Sequence, residues 1–161
     1  MSLLVLVGPP GAGKTTVGRL LAERRGVPFR DTDADIEAHA GKSIAEIFYD
    51  EGEAAFRQLE TAAVAKALAE HDGVLSLGGG AVLSQTTRAL LMDCHVVFLS
   101  VGLADAAKRV GLSRDRPVLA LNPRATLAAL LAERLPLYRE VADVEISTDG
   151  RTPEEVLADL T

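Results

Sequence analysis

The run Gly8-Pro9-Pro10-Gly11-Ala12-Gly13-Lys14-Thr15 has the residue types and spacing needed to hold a chain of phosphates. Glycines so placed let the backbone curl until successive N–H groups point inward at phosphate oxygens. The lysine then reaches the outer phosphates, and the Thr15 hydroxyl can ligate Mg²⁺. The helix that must begin near Lys14 adds the positive end of its dipole. A chance glycine-rich turn would need neither the apolar run 3–7 before it nor the helical pattern after it. The chemistry implied is the binding of a nucleoside triphosphate.

A phosphate donor raises the question of the acceptor. Asp31 and Asp33 stand at the end of a predicted strand, where open α/β sheets bind ligands. One could face Mg²⁺ and the phosphates while the other faces an acceptor hydroxyl, or both could cap the next helix. Gly78-Gly79-Gly80 also follows a strand. Three glycines cost more conformational entropy than a turn requires, and a ligand close to the backbone would explain them; a flexible connection is the plainer alternative. Arginine outnumbers lysine, 13 to 4. Arg57, Arg116 and Arg134 lie where solvation alone is a weak account, and guanidinium suits bidentate capture of carboxylate or phosphate. Any one of them could still be a surface charge. His39, His71 and His95 show no metal-ligand spacing. Cys94 adjoins an apolar run and reads as a small packing residue rather than a nucleophile.

These candidates need a scaffold, and strand and helix alternate to supply one. Residues 3–7 read as a buried strand, with a helix over 14–25 that Gly26 stops. Residues 27–31 form a second strand. Residues 33–39 start a helix that Gly41 ends, and Ser43 to Glu46 has the spacing of a capping box. Residues 53–70 are one long helix. Strands follow at 74–77, 96–100 and 144–147, with helices at 84–92 and near 153–160, where Pro153 suits a first helical position. Two segments interrupt the alternation. The helical insertion 33–60 could build a second-ligand compartment, and the polar, proline-bounded stretch 111–123 has the character of a lid.

Composition agrees with this scheme. A chain of 161 residues is most simply one domain. Its hydrophobic share is 48% with aromatics at 4%, so the core must be aliphatic, as in a parallel sheet covered on both faces. A net charge of −6 argues against nucleic acid as a bulk partner. A single cysteine permits no intrachain disulfide, and no apolar run approaches a membrane span. The expectation is a soluble, cytoplasmic protein without a membrane or nucleic-acid partner.

Taken together, the phosphate loop, the spaced aspartates, the run Ser43 to Phe48, Phe56-Arg57, the triple glycine, Arg116-Pro117 and the run Arg134 to Tyr138 resemble the shikimate kinase family over nearly the whole chain. The resemblance implies a three-layer α/β P-loop NTPase fold. Its five-stranded parallel sheet would run in the order 2-3-1-4-5, with a substrate-binding insertion at 33–60 and a mobile lid at 111–123. It implies a monomer that transfers the ATP γ-phosphoryl to the 3-hydroxyl of shikimate with Mg²⁺. Asp33 would then hold the ring hydroxyls and serve, or orient, the base. Arg57 and Arg134 would grip the carboxylate beside Gly78, Gly79 and Gly80, and Phe48, Phe56 and Glu60 would shape the pocket. Thr15 would ligate the metal directly and Asp31 through water. Gly11, Ala12, Gly13, Lys14, Thr15 and Thr16 would hold the phosphates, with Arg109 and Arg151 near the base. Lys14 and Arg116 would stabilise the transferring group. A gluconate kinase and a non-catalytic nucleotide switch are the alternatives. The switch lacks the guanine-reading Asn-Lys-x-Asp motif, because Asn122 is the only asparagine and Pro123 follows it.

Overall fold

Val5 and Val7 join one buried cluster and Leu4 and Leu6 another, so the first strand is apolar on both faces. Such a strand must be covered on both sides, which dictates a helix–sheet–helix sandwich. The computed structural model describes residues 3–110 and 123–160, and it has this form. The strands are β1 (Leu4–Val7), β2 (Phe29–Asp31), β3 (Val74–Ser76), β4 (His95–Ser100) and β5 (Val144–Ser147). All pair in parallel in the order β2-β3-β1-β4-β5, the order expected from the resemblance. Leu4 is in register with Val74 on one side and His95 on the other, which puts β1 at the centre.

The helices are α1 (Lys14–Arg25), α2 (Thr32–Ala40), α3 (Ile44–Glu51), α4 (Glu53–Glu70), α5 (Gln85–Leu91), α6 (Leu103–Val110), α7 (Pro123–Val141) and α8 (Pro153–Leu160). One face of the sheet packs on α4, α5 and α7 through Val64, Ala67, Leu91, Tyr138 and Val141. The other packs on α1 and α8 through Val17, Leu21, Val156 and Leu157. Ile36, Ile47 and Phe56 form a separate small core that holds α2, α3 and the start of α4 together. The insertion therefore has packing of its own and does not borrow the sheet's.

Several boundaries differ from the sequence reading, each for a local reason. β2 starts at Phe29, not residue 27, because Pro28 has no N–H and the Val27 N–H closes the end of α1 on the Ala22 carbonyl. α2 starts one residue early, with Asp31 as its cap. Ser84 caps α5 by accepting from the Thr87 N–H at 3.2 Å and so stands outside it. A 3-10 turn at Ala81–Leu83 was not foreseen. Gly26 does end α1, in the left-handed conformation at φ 66°. The stretch expected to form a lid falls, from 111 to 122, outside the described residues, and Arg116 with it.

Candidate active site

Because every strand runs the same way, their C-terminal ends meet along one edge, and the chain's chemistry-bearing residues collect there. β1 leads into the phosphate loop, β2 into Asp31 and Asp33, β3 into the triple glycine, and β5 into Thr148. Two adjoining clefts open on this edge. The first, about 430 Å³, is lined by residues 10–17 of the loop and helix start, with Asp31, Asp33, Arg109, Thr148 and Arg151. The second, about 380 Å³, is lined by Phe48, Phe56, Arg57, Glu60, Gly80 and Arg134 with parts of α2 and α3. Pro10, Asp33 and Gly79 line both.

In the first cleft the Lys14 ammonium donates to the Gly8 carbonyl at 2.7 Å and the Pro9 carbonyl at 3.1 Å, which folds it over the loop it would serve. The Thr15 hydroxyl donates to Asp31 Oδ2 at 3.1 Å, and Asp31 Oδ1 accepts from the Asp33 N–H at 2.9 Å. Capping and a metal-side role were alternatives on sequence; Asp31 caps α2 with one oxygen while the other faces Thr15. A hydroxyl and a carboxylate oxygen beside a phosphate loop are the hard donors that suit Mg²⁺ held largely by phosphates and water. Among the described residues no cluster of three or more His, Cys, Asp or Glu could hold an ion by itself. Arg109 donates to the Thr148 carbonyl and hydroxyl and, at 3.2 Å, to the Gly11 carbonyl, tying α6 to the loop. Arg151 braces α8 through the Glu155 carbonyl near its start and Asp159 near its end.

The second cleft is built around charge. Arg57 pairs with the buried carboxylate of Glu60 at 2.8 Å and with Glu53 at 3.4 Å. Burial drives the Glu60 carboxyl above its usual range, and Arg57 and then Arg134 pull it back only in part. Arg134 is 4% exposed, and its Nε has no hydrogen-bond partner among the described residues. A guanidinium taken out of water with a donor unused is ready for an anion. Phe48 and Phe56, with centroids 4.9 Å apart, form the apolar wall.

The triple glycine owes its composition to its neighbours. A Cβ on Gly78 would come within 2.5 Å of Asp33 Oδ1 and 2.9 Å of Glu60 Oε2; on Gly79 it would meet Pro10 at 2.9 Å; on Gly80 it would enter the Arg57 guanidinium. The sequence reading attributed the glycines to an approaching ligand. The structure adds a second reason: in the direction a Cβ would take, each glycine meets a side chain that lines one of the two clefts.

Sequence reasoning brought Lys14, Thr15, Asp31, Asp33, Arg57, Glu60, Arg134 and the triple glycine to one edge, and the structure collects all of them there. It missed Pro10 as a shared wall, Glu37 and Ala45 as lining of the second cleft, and Thr148 as the anchor of Arg109. Thr148 carried a signal in its position just past a strand end, and Pro10 and Ala45 lie inside runs the sequence had singled out for other reasons. Outside the clefts, His71 Nε2 donates to the Val74 carbonyl at 3.0 Å, and Cys94 packs against the sheet-face core. Burial, with Asp93 and Asp143 nearby, pushes the Cys94 thiol upward, away from nucleophile chemistry.

A phosphate loop at the central strand of a five-stranded parallel sheet, beside a second cleft lined by cations, defines a P-loop kinase. The family described as Shikimate kinase matches residues 10–161. A shikimate kinase of Saccharopolyspora erythraea is 68% identical over 95% of this chain and 88% of its own length. One from Salinispora arenicola is 62% identical over 97% and 93%. A solved shikimate kinase from Acinetobacter baumannii, in complex with shikimate, superposes with a TM-score of 0.95 at 39% identity, over 99% of this chain and 90% of that one. The chain belongs to the shikimate kinase family.

Proposed function

We propose that this enzyme transfers the γ-phosphoryl group of ATP to the 3-hydroxyl of shikimate, giving shikimate 3-phosphate and ADP. The observation that carries the reading is the pair of clefts with a common wall, one lined by the phosphate loop and the other by Arg57 and Arg134, with Asp33 on the wall between them. Shikimate needs a cation for its carboxylate, acceptors for its hydroxyls and an apolar surface for its ring. Arg134 and Arg57, Asp33 and Glu60, and Phe48 with Phe56 offer these in turn. Gluconate also carries a carboxylate but is an open chain, and the apolar Phe48–Phe56 wall suits a ring.

Phosphoryl transfer asks a protein mainly for alignment and charge neutralisation. Asp33 would accept the proton of the attacking hydroxyl, or hold that hydroxyl in line, as the new O–P bond forms. The bond from the γ-phosphorus to the bridging oxygen breaks and ADP leaves. Lys14 would release the two loop carbonyls and follow the charge on the transferring group. Arg116, outside the described residues, is assigned the same task from the sequence alone. Gly11 to Thr16 would cradle the phosphates, Arg109 and Arg151 would flank the base, and the amides of Gly79 and Gly80 would assist at the carboxylate. Thr15 and, through water, Asp31 would hold Mg²⁺, which when bound supplies positive charge to the phosphate oxygens. Localisation in the cytoplasm and a monomeric state complete the reading. Among the described residues no helix is long and apolar enough to cross a membrane.

ADP release in a coupled assay, with shikimate, gluconate and no acceptor run in parallel, tests the reading. Turnover is expected with shikimate alone. Equal turnover with gluconate, or ADP release indifferent to any acceptor, would overturn it. In the same assay Lys14→Ala should abolish turnover with its melting temperature unchanged.

A further inference from the structure

Tyr138 lies one helical turn after Arg134 on α7 and is only 1% exposed, so it does not reach into either cleft. Its ring stacks on Phe98 of β4, with centroids 4.9 Å apart and planes at 27°. That stacking fixes the phenol oxygen, which donates to the Gly79 carbonyl at 2.5 Å. The Arg134 guanidinium, one turn earlier on the helix, lies near enough to act on this oxygen electrostatically. The carbonyl of Gly79 and the N–H of Gly80 belong to one planar trans peptide and point in opposite directions. Anchoring the carbonyl from the core side therefore turns the Gly80 N–H the other way, and Gly80 lines the second cleft hard against Arg57. One buried hydroxyl thus stands behind an anion-binding backbone amide of that cleft, one helical turn from the Arg134 guanidinium.

We propose that Tyr138 is a positioning residue for the acceptor's carboxylate, aiming the Gly80 amide at it from behind, beside Arg134, without touching the ligand. The proposal rests on the reading of the second cleft as the acceptor site. Glycine has no side chain with which to fix its own peptide plane, so three in a row leave the amide direction open unless something outside the run sets it. Tyr138 is the side chain that holds the Gly79–Gly80 peptide by its oxygen. Gly79 lines both clefts, but the amide the phenol turns is that of Gly80, which lines only the second, so the effect falls on the acceptor.

Tyr138→Phe removes the hydroxyl and keeps the ring against Phe98. With one orienting hydrogen bond gone, the KM for shikimate should rise about 3–10-fold while the KM for ATP holds. The methyl ester of shikimate, which lacks the carboxylate charge, should be used by wild type and variant with nearly the same kcat/KM. A purely structural role would lower the melting temperature and move both KM values together, or neither. Wild type run alongside separates the two claims. If it fails to turn over shikimate, the proposed function falls and the positioning role with it. If it turns over shikimate and Tyr138→Phe keeps a wild-type KM, or loses as much on the ester, only the positioning role falls. Should the variant not fold, replacing both tyrosines by 3-fluorotyrosine makes the phenol more acidic at almost constant size, and the other tyrosine, Tyr49, is 91% exposed. A shift in the shikimate KM alone would then support the proposal, and no shift would overturn it.

Discussion

At the scale of single residues, the two acceptor arginines have different surroundings, and that difference sets what each substitution should do. Arg134 has an unused buried donor, whereas Arg57 is already engaged by Glu53 and Glu60. Arg134→Ala should therefore weaken shikimate binding by about 2–5 kcal/mol, as loss of a desolvated charge partner typically does, with ATP binding spared. Arg57→Ala should also weaken shikimate, and in addition lower the melting temperature, because Glu60 would be left buried with less compensation. Calorimetry with each ligand and a thermal melt check both; equal losses for ATP and shikimate would move the arginines out of the acceptor site. The two aspartates should separate as well. Asp33→Asn can still hydrogen-bond a ring hydroxyl but cannot take its proton, and turnover should fall about 10²–10⁴-fold. Asp31→Asn should show a defect partly relieved by excess Mg²⁺. Shared Mg²⁺ rescue would erase that division of labour. Lys14, Thr15 and both aspartates were legible in the sequence because their spacing is local. Arg57's partners were legible in the same way, since Glu53 and Glu60 stand four residues before it and three after it on α4. The burial of Arg134 and its unused Nε were not, because they depend on how α7 packs.

At the scale of elements, helix and strand starts were readable wherever a cap or a glycine marked them. The capping box is the clearest case: the Glu46 N–H donates to Ser43 Oγ at 3.1 Å and the Ser43 N–H to Glu46 Oε1 at 3.1 Å. The 3-10 turn after the triple glycine was not readable, because its bonds depend on backbone placement rather than residue type. Nor did the sequence disclose that the insertion carries its own core. Ile47 is fully buried there yet lines neither cleft. Ile47→Ala should cost about 2–5 kcal/mol if the loss reaches global stability. It should also raise the KM for shikimate more than that for ATP, since α3 brings Ala45 and Phe48 to the acceptor side. Paired melting and steady-state kinetics check this; KM values that rise equally would mean the insertion and the sheet loosen as one unit.

At the scale of the whole molecule, pH exposes what burial costs. Tyr138 is pushed up to about 12 from an ordinary 10, mainly by burial. A raised acid favours the folded state below the unfolded value and withdraws that support as pH climbs through the folded one. Wild type should therefore lose stability relative to Tyr138→Phe between pH 10 and 12, by about 2–3 kcal/mol over the full window. Melts of the pair from pH 8 upward check this, and a constant difference would mean the phenol is hydrated. Glu60, also raised by burial, acts with the same sign at the acid end: its contribution is full below 4.5 and falls as pH rises through its folded value. The parallel architecture was legible from alternating apolar runs, but the meeting of two clefts was not, because Pro10, Asp33 and Gly79 come from three separate strand ends. Those three residues make the partition between the clefts, and a shared partition has a pharmacological consequence. One molecule that joins a polyphosphate tail to an acid-bearing ring could occupy both sides through a short tether, with its second half at an effective concentration of roughly millimolar. For such a bisubstrate inhibitor, tether length is the variable to optimise before either head group.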